Sequence, residues 1–162
     1  SLNSKDLNSK KKIREFSATQ SIKRSPYSVK NTKSLSFLDG KWDWNWPVKG
    51  KVLKTFNSSK LFKGISIQSD YGSPVFTAAP GVVVYSGDGL RSYGKLIIIR
   101  QDENYLSAYA HNKQIFVKEN EAVIANQKIS ESGYTETRNQ RLYFEIRERG
   151  KPVDPLKHLP KF

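Results

Sequence analysis

Cysteine and methionine are both absent from this 162-residue chain, and histidine occurs only twice. The lack of cysteine excludes disulfides, thiolate zinc sites and a cysteine nucleophile. No apolar run is long enough to span a membrane. A secretion signal is also not recognisable, so any signal or lipid-anchor segment would have to lie upstream of these residues.

Apolar side chains are sparse as well, at 36% of the chain. Such a content indicates that part of the chain does not pack into a core. The basic stretch at residues 9–12 and the rest of the first 40 residues show no sustained helical or strand period. We therefore predict a disordered basic arm over residues 1–41 and one folded domain over residues 42–162.

Acidic residues are few relative to basic ones, which gives a net charge of +13. This excess favours a polyanionic neighbour such as an acidic cell-wall polymer, or it is general surface charge without a specific partner. Aromatic and basic residues are not interleaved as in nucleic-acid-binding proteins, so we expect no nucleic-acid partner.

Three tryptophans, at positions 42, 44 and 46, mark the beginning of the predicted domain. Their spacing of two places all three indoles on one face of an extended segment. This pattern predicts a strand that closes over a core. The alternative is an aromatic platform for a sugar or a peptide.

Short strand patterns dominate the rest of the chain. β-Branched or alternating apolar segments occur at residues 82–85, 95–100, 105–111 and 142–147, with turn residues such as Pro80-Gly81 between them. Short strands at this spacing are typical of an antiparallel sandwich or barrel.

Several short motifs in order resemble one known family. They include Trp46-Pro47-Val48-Lys49-Gly50, Gly72-Ser73-Pro74-Val75, Ala78-Ala79-Pro80-Gly81 and Tyr109-Ala110-His111. From Trp46 onward the chain resembles the LytM, or lysostaphin-type, zinc metallopeptidase domain of cell-wall hydrolases. Within that family it is most similar to the NlpD-like amidase activators. The resemblance implies an all-β fold, an antiparallel sandwich or open barrel of the duplicated hybrid motif type.

The same resemblance implies five functional positions, and four of them carry unsuitable residues. The three zinc-ligand positions fall on Phe62, Ser66 and Tyr143. A phenyl ring offers no lone pair, a neutral hydroxyl is a poor ligand, and a phenol has a pKa near 10. Of the two catalytic histidine positions, one is occupied by Arg141, which stays protonated, and only His111 is kept. We therefore expect zinc to be lost and the chain not to be an enzyme.

Two roles remain open for His111: a structural histidine bonded to a neighbour, or a groove residue that contacts a partner. Loss of the metal leaves a groove shaped for an extended peptide. We predict that its lining acts in partner binding and includes Phe62, Lys63, Ser66, His111, Arg141 and Tyr143.

In NlpD-like proteins the resemblance implies that this groove captures a segment of an N-acetylmuramoyl-L-alanine amidase and so activates it during cell division. One alternative is a module that binds peptidoglycan peptides without activating anything, and another is a residual zinc endopeptidase. We expect a monomer in the periplasm or cell envelope of a Gram-negative bacterium. An upstream lipoprotein signal would anchor it to the outer membrane.

Overall fold

The computed structural model describes residues 4–17, 42–59 and 62–161. Helix α1 covers Ser4–Ser17, and neither it nor any other described element is long and apolar enough to cross a membrane as a helix. Short 3-10 turns lie at Arg91–Tyr93 and Pro155–Lys157. The strands within these ranges are Val52–Lys54 (β1), Ile65–Gln68 (β2), Pro74–Phe76 (β3), Gly81–Gly87 (β4), Lys95–Arg100 (β5), Tyr105–Ile115 (β6), Ala122–Val123 (β7), Lys128–Ser132 (β8), Arg141–Glu148 (β9) and Lys151–Val153 (β10).

The ten described strands join into one sheet in which every pair is antiparallel. Its main path runs β1-β2-β9-β6-β5-β4-β7, while β10 pairs with β9 and β8 pairs with both β3 and β6. This arrangement confirms the all-β prediction. The four strands predicted at residues 82–85, 95–100, 105–111 and 142–147 lie within β4, β5, β6 and β9.

Apolar side chains form two clusters on opposite faces of the sheet, because side chains alternate along each strand. In β9, Leu142, Phe144 and Ile146 belong to the larger cluster, which is the main core. Tyr143 points to the other face and packs against the smaller cluster. One face of β9 therefore packs into the main core, and the other face carries Tyr143, one of the predicted functional residues.

Helix α1 corrects the prediction of a disordered arm for residues 4–17. Ile13 and Phe16 lie one turn apart on the helix, with 9% and 1% of their surface exposed, and both belong to the smaller cluster. A helix with so few apolar residues gives a weak periodic signal, and packing against the sheet supplies most of its stability. Residues 18–41 lie outside the described part of the chain, so the prediction for them stays a prediction.

The tryptophan segment corrects a second expectation, since residues 42–46 do not form a strand. The backbone N–H of Asn45 donates to the carbonyl of Ala78 at 2.7 Å, but the segment joins no ladder of the sheet. The indoles nevertheless close over the core. Trp44 is a buried core member, and Trp42 and Trp46 are half-buried against it.

Candidate functional site

The predicted groove residues meet on three neighbouring strands, β2, β9 and β6. Ser66 on β2 lies directly opposite Tyr143 on β9, and Ala110 on β6 lies opposite Tyr143 from the other side. His111 follows Ala110, and Arg141 is two residues from Tyr143, so it shares its face of the sheet. Phe62 and Lys63 come just before β2.

Aromatic rings form the centre of this surface. The ring of Phe62 meets the ring of Tyr143 edge to face, with 5.6 Å between centroids. His111 lies 6.4 Å from Tyr143 on another side, and Tyr93 lies 5.7 Å from it. The ammonium group of Lys54 sits 3.9 Å from the Phe62 centroid, which is a cation–π distance. Two predicted positions, Phe62 and His111, are thus arranged around a third, Tyr143.

A buried carboxylate beneath these rings holds Tyr143 in place. Glu145 is fully buried, and one of its oxygens accepts hydrogen bonds from the hydroxyls of Tyr143 at 2.7 Å and Tyr93 at 2.9 Å. Its other oxygen pairs with Nε of Arg147 at 2.9 Å. We call these four residues the Glu145 network. No motif in the sequence indicates these four residues as a unit, although strand alternation puts Tyr143, Glu145 and Arg147 on one face of β9.

The network shifts the acidity of its phenols. Burial and the adjacent Glu145 carboxylate raise the pKa of Tyr143 far above its ordinary value. The pKa of Tyr93 is raised by the same two causes, with burial the larger. Both phenols therefore remain protonated and donate to Glu145 at any working pH.

His111 lies at an irregular point of β6. Between Lys95 and Ile97 on β5 one extra residue of β6 is inserted, so the pairing jumps from Asn112 to Tyr109. This β-bulge gives His111 a φ of 67°, a left-handed conformation that histidine tolerates better than most residues. The side-chain amide of Asn112 donates to the carbonyls of Lys95 and Tyr109 and fixes the bulge.

Charges of both signs lie near His111 in the groove. Burial lowers the pKa of His111, Glu136 partly offsets this, and Arg141 adds to it. Nε of Arg141 is buried and has no hydrogen-bond partner among the described residues. Within the same residues, neither Arg141 nor Lys63 forms an ion pair. Arg141 and Lys63 are therefore cations without an ion-pair partner in the described part of the chain, while Glu136 supplies a negative charge near His111.

The resemblance implies a zinc ion at these positions, and the donor set does not fit one. Phe62 has no lone pair, and Ser66 offers only a neutral hydroxyl. The hydroxyl of Tyr143 already donates to Glu145, and the raised pKa opposes the phenolate form that would bind a metal. No group of three or more His, Asp or Glu side chains able to hold a metal occurs in the part of the chain that the structure describes.

Helix α1 covers the same face of the sheet beside the Glu145 network. The guanidinium of Arg147 stacks 3.8 Å from the ring centroid of Phe16 and donates to the Phe16 carbonyl. The Phe16 ring also contacts Tyr93 at 5.6 Å. On the same half-buried side of the helix, Ser9 donates to Glu119 at 2.7 Å. The network therefore connects the groove to the helix.

Comparisons with known proteins relate the chain to one peptidase family. The sequence model of Peptidase family M23 matches residues 60–155. The Pseudomonas aeruginosa lipoprotein NlpD/LppB homolog is 49% identical over 119 residues, which are 73% of this chain and 40% of that protein. The murein hydrolase activator NlpD of Escherichia coli is 50% identical over 119 residues, or 73% of this chain and 31% of that protein. The chain thus spans well under half the length of these relatives.

Solved structures of the family share the fold. A zinc-containing peptidase from Vibrio cholerae superimposes with a TM-score of 0.67 at 27% identity, covering 73% of this chain and 41% of the other. Lysostaphin, solved by NMR, gives a TM-score of 0.64 at 20% identity over 74% of this chain and 56% of its own, which supports the fold alone. The resemblance and the LytM-type fold inferred from the sequence are confirmed.

Proposed function

The chain belongs to peptidase family M23, and we propose that it acts there as a non-catalytic regulator of peptidoglycan hydrolysis. More specifically, it activates an N-acetylmuramoyl-L-alanine amidase when the septal wall is split. Support comes from the relative named murein hydrolase activator, 50% identical over 119 residues. Because the chain spans only 31% of that relative, the role is proposed for this domain on the strength of its own groove.

The observation that carries the proposal is the chemistry at the ligand positions. Phe62 and Tyr143, the positions at which the resemblance implies zinc ligands, contact each other, and Tyr143 donates a hydrogen bond to a buried carboxylate. Because Phe62, Ser66 and Tyr143 are poor metal ligands and Arg141 stands where a second histidine is expected, we propose that this surface does not activate water. Aromatic rings with a free guanidinium are instead typical anchors of protein interfaces.

Arg141 gives the groove its chemical preference. Its guanidinium has no acidic partner among the described residues, and Lys63 adds a second positive charge beside Phe62. Arginine binds a carboxylate through two parallel hydrogen bonds, which are stronger than neutral ones. A partner segment that places an Asp or Glu against Arg141 and an apolar side chain against Phe62 would fit this surface.

Activation then follows from selective capture. An amidase whose active site is blocked by one of its own segments populates an open form only rarely. A groove that binds that segment only after it has moved away stabilises the open form by its difference in affinity for the two states. The chain itself performs no chemical step.

We base the proposed location and partners of the chain on the names of its relatives. The Pseudomonas aeruginosa relative is named a lipoprotein, which favours the periplasm or cell envelope of a Gram-negative bacterium, with an outer-membrane anchor if a lipoprotein signal lies upstream. The partners would be a cell-wall amidase and peptidoglycan. We propose that the domain works as a monomer.

Dye release from labelled sacculi tests the proposal. We expect no release by the chain alone and release when an autoinhibited amidase is added. Arg141→Ala should raise the concentration needed for half-maximal activation by roughly tenfold or more, since a hydrogen bond to a charged group contributes about 1.5–3 kcal/mol.

Lys118→Ala is the matched control, because it removes one positive charge from an exposed position outside the groove strands. It should activate like the parent chain. Chelator-sensitive release by the chain alone would instead establish a residual endopeptidase. Binding to sacculi without an effect on any amidase would favour a peptide-binding module and refute the activator role.

A further inference from the structure

A concave surface lies on the opposite side of the sheet from the predicted groove. Trp44 and Tyr105 pack on the main core, whereas Tyr143 packs on the cluster across the sheet. The cleft beside these two rings has a volume of about 640 Å³. Volumes of roughly 300–1,000 Å³ are typical of small-molecule sites. The cleft is lined by Trp42, Asp43, Trp44, Asn45, Tyr105 and His158, with Pro160 at its edge.

Aromatic rings at right angles form its walls. Trp42 meets Trp44 at 4.9 Å and 88°, and it meets Tyr105 at 5.9 Å and 87°. His158 closes the set, 5.6 Å from Tyr105 and 6.2 Å from Trp44. Ring faces and edges therefore both line one corner. The C–H groups of a sugar ring carry a weak positive charge and are attracted to the negative face of such rings.

Polar side chains of the cleft are available for a ligand. Among the described residues, the side chains of Asp43, Asn45 and His158 have no hydrogen-bond partner, and Asp43 is exposed. The indole of Trp46, by contrast, donates to the carbonyl of Pro160 at 2.8 Å and holds the C-terminal segment at the edge of the cleft. The cleft thus has a fixed apolar frame and free carboxylate, amide and imidazole groups.

The charges that line the cleft favour an uncharged ligand. The chain carries a net charge of +13, yet neither lysine nor arginine lines the cleft, whose charged member is Asp43. A polyanion would be repelled by Asp43 and would find no cation to bind. An uncharged ligand rich in hydroxyl and amide groups would find both donors and acceptors.

We propose that this cleft binds a saccharide, namely an uncharged stretch of an amino-sugar chain such as the glycan strand of murein. The ring of one sugar would stack on Trp42, and its hydroxyl or acetamido groups would bond to Asp43 and Asn45. The choice of murein, as opposed to another amino-sugar polymer, rests on the proposed function.

The position of the cleft would let a sugar strand and a partner segment bind at the same time. Because the cleft and the groove lie on opposite faces of the sheet, a bound sugar strand leaves Phe62 and Arg141 accessible. The domain could hold the wall on one side while it binds a partner segment on the other.

Titration with β-1,4-linked N-acetylglucosamine tetramer, followed by tryptophan fluorescence and calorimetry, tests the inference. We expect saturable binding by the parent chain. Asp43→Ala and Asn45→Ala should each weaken it about tenfold, which is the fold-change for one hydrogen bond of about 1.4 kcal/mol. Trp42→Ala should abolish it, and the two polar variants keep the test valid if Trp42→Ala fails to fold.

Phe62→Ala is the control, because it alters the groove and should leave the tetramer affinity unchanged. No binding at millimolar tetramer, equal binding by Asp43→Ala and the parent, or a preference for a murein stem peptide over the sugar would overturn the inference. Assaying the same variants for amidase activation separates the two proposals. Activation without sugar binding refutes the cleft alone, and sugar binding without activation refutes the activator role alone.

Discussion

Replacing Glu145 by glutamine tests whether the Glu145 network holds the groove together. Glutamine has nearly the same shape but removes the negative charge. Arg147, whose side chain is only 4% exposed, would then be a buried cation without its counter-ion. An amide nitrogen would also face either the guanidinium or a tyrosine hydroxyl, all of them donors. We therefore expect Glu145→Gln to lower the free energy of unfolding substantially.

The size of the effect follows from burial. Removing one partner of a buried ion pair costs about 3–5 kcal/mol, because the other charge stays in the interior. The amide oxygen of the substituted side chain still accepts a hydrogen bond from Tyr93 or Tyr143, so we expect the lower end, about 3 kcal/mol. With a urea m-value of about 2 kcal/mol/M, the unfolding midpoint should fall by roughly 1.5 M. A domain of ordinary stability remains folded after such a loss.

A double-mutant cycle with Arg147→Met isolates the interaction energy between Glu145 and Arg147. If the cost of Glu145→Gln comes from the unpaired cation, the double variant should be more stable than the sum of the two single effects by about 2 kcal/mol or more. Urea unfolding monitored by fluorescence and circular dichroism, with unchanged m-values, gives the four free energies. A loss below about 1 kcal/mol for Glu145→Gln, or strict additivity, would refute the network as an organising element.

Two further predictions concern His111 and helix α1. Burial depresses the pKa of His111 below 6.5, so its contribution to stability is complete above that pH and declines as the pH falls toward the folded-state pKa. NMR titration should show this low pKa. His111→Asn, in which asparagine tolerates the positive φ, should flatten the pH dependence of the unfolding free energy between the folded-state pKa and 6.5. A measured pKa at or above 6.5 would contradict the burial argument. Phe16→Ala should expose the helix amides to hydrogen exchange and lower stability by about 3 kcal/mol at most, because the docked helix can detach. Leu7→Ala, at a position 53% exposed, should change neither quantity, and unaltered helix protection in Phe16→Ala would refute the docking.

Most of the confirmed sequence predictions rest on the periodicity of the strands. The alternation in residues 142–147 placed Leu142, Phe144 and Ile146 on one face, and these residues form part of the main core. The β5 segment was bounded by turn residues and was predicted at its observed limits, Lys95–Arg100. Such local patterns suffice where one face of a strand is buried and the other is not.

Contacts between segments far apart in the chain could not be predicted in this way. Helix α1 depends on Phe16 packing against Arg147, 131 residues later, and three apolar residues in a lysine-rich segment do not indicate such a contact. The bulge at His111 depends on Asn112 bonding across to Lys95, which no spacing within β6 indicates. The family resemblance suggested a set of groove residues, which stays a prediction, and no sequence pattern indicated the contacts that fix their positions.

If no metal binds at the positions where the resemblance implies zinc ligands, another interaction has to hold these side chains in place. In a metal site the ion fixes its ligands, and its binding energy contributes to folding. Here Tyr143 is fixed by Glu145, which in turn is held by Tyr93 and Arg147. The carboxylate therefore provides an anchor that needs no metal ion, so the proposed groove can be organised without one. Loss of activation in Glu145→Gln together with intact folding would show that the proposed binding function depends on this anchor.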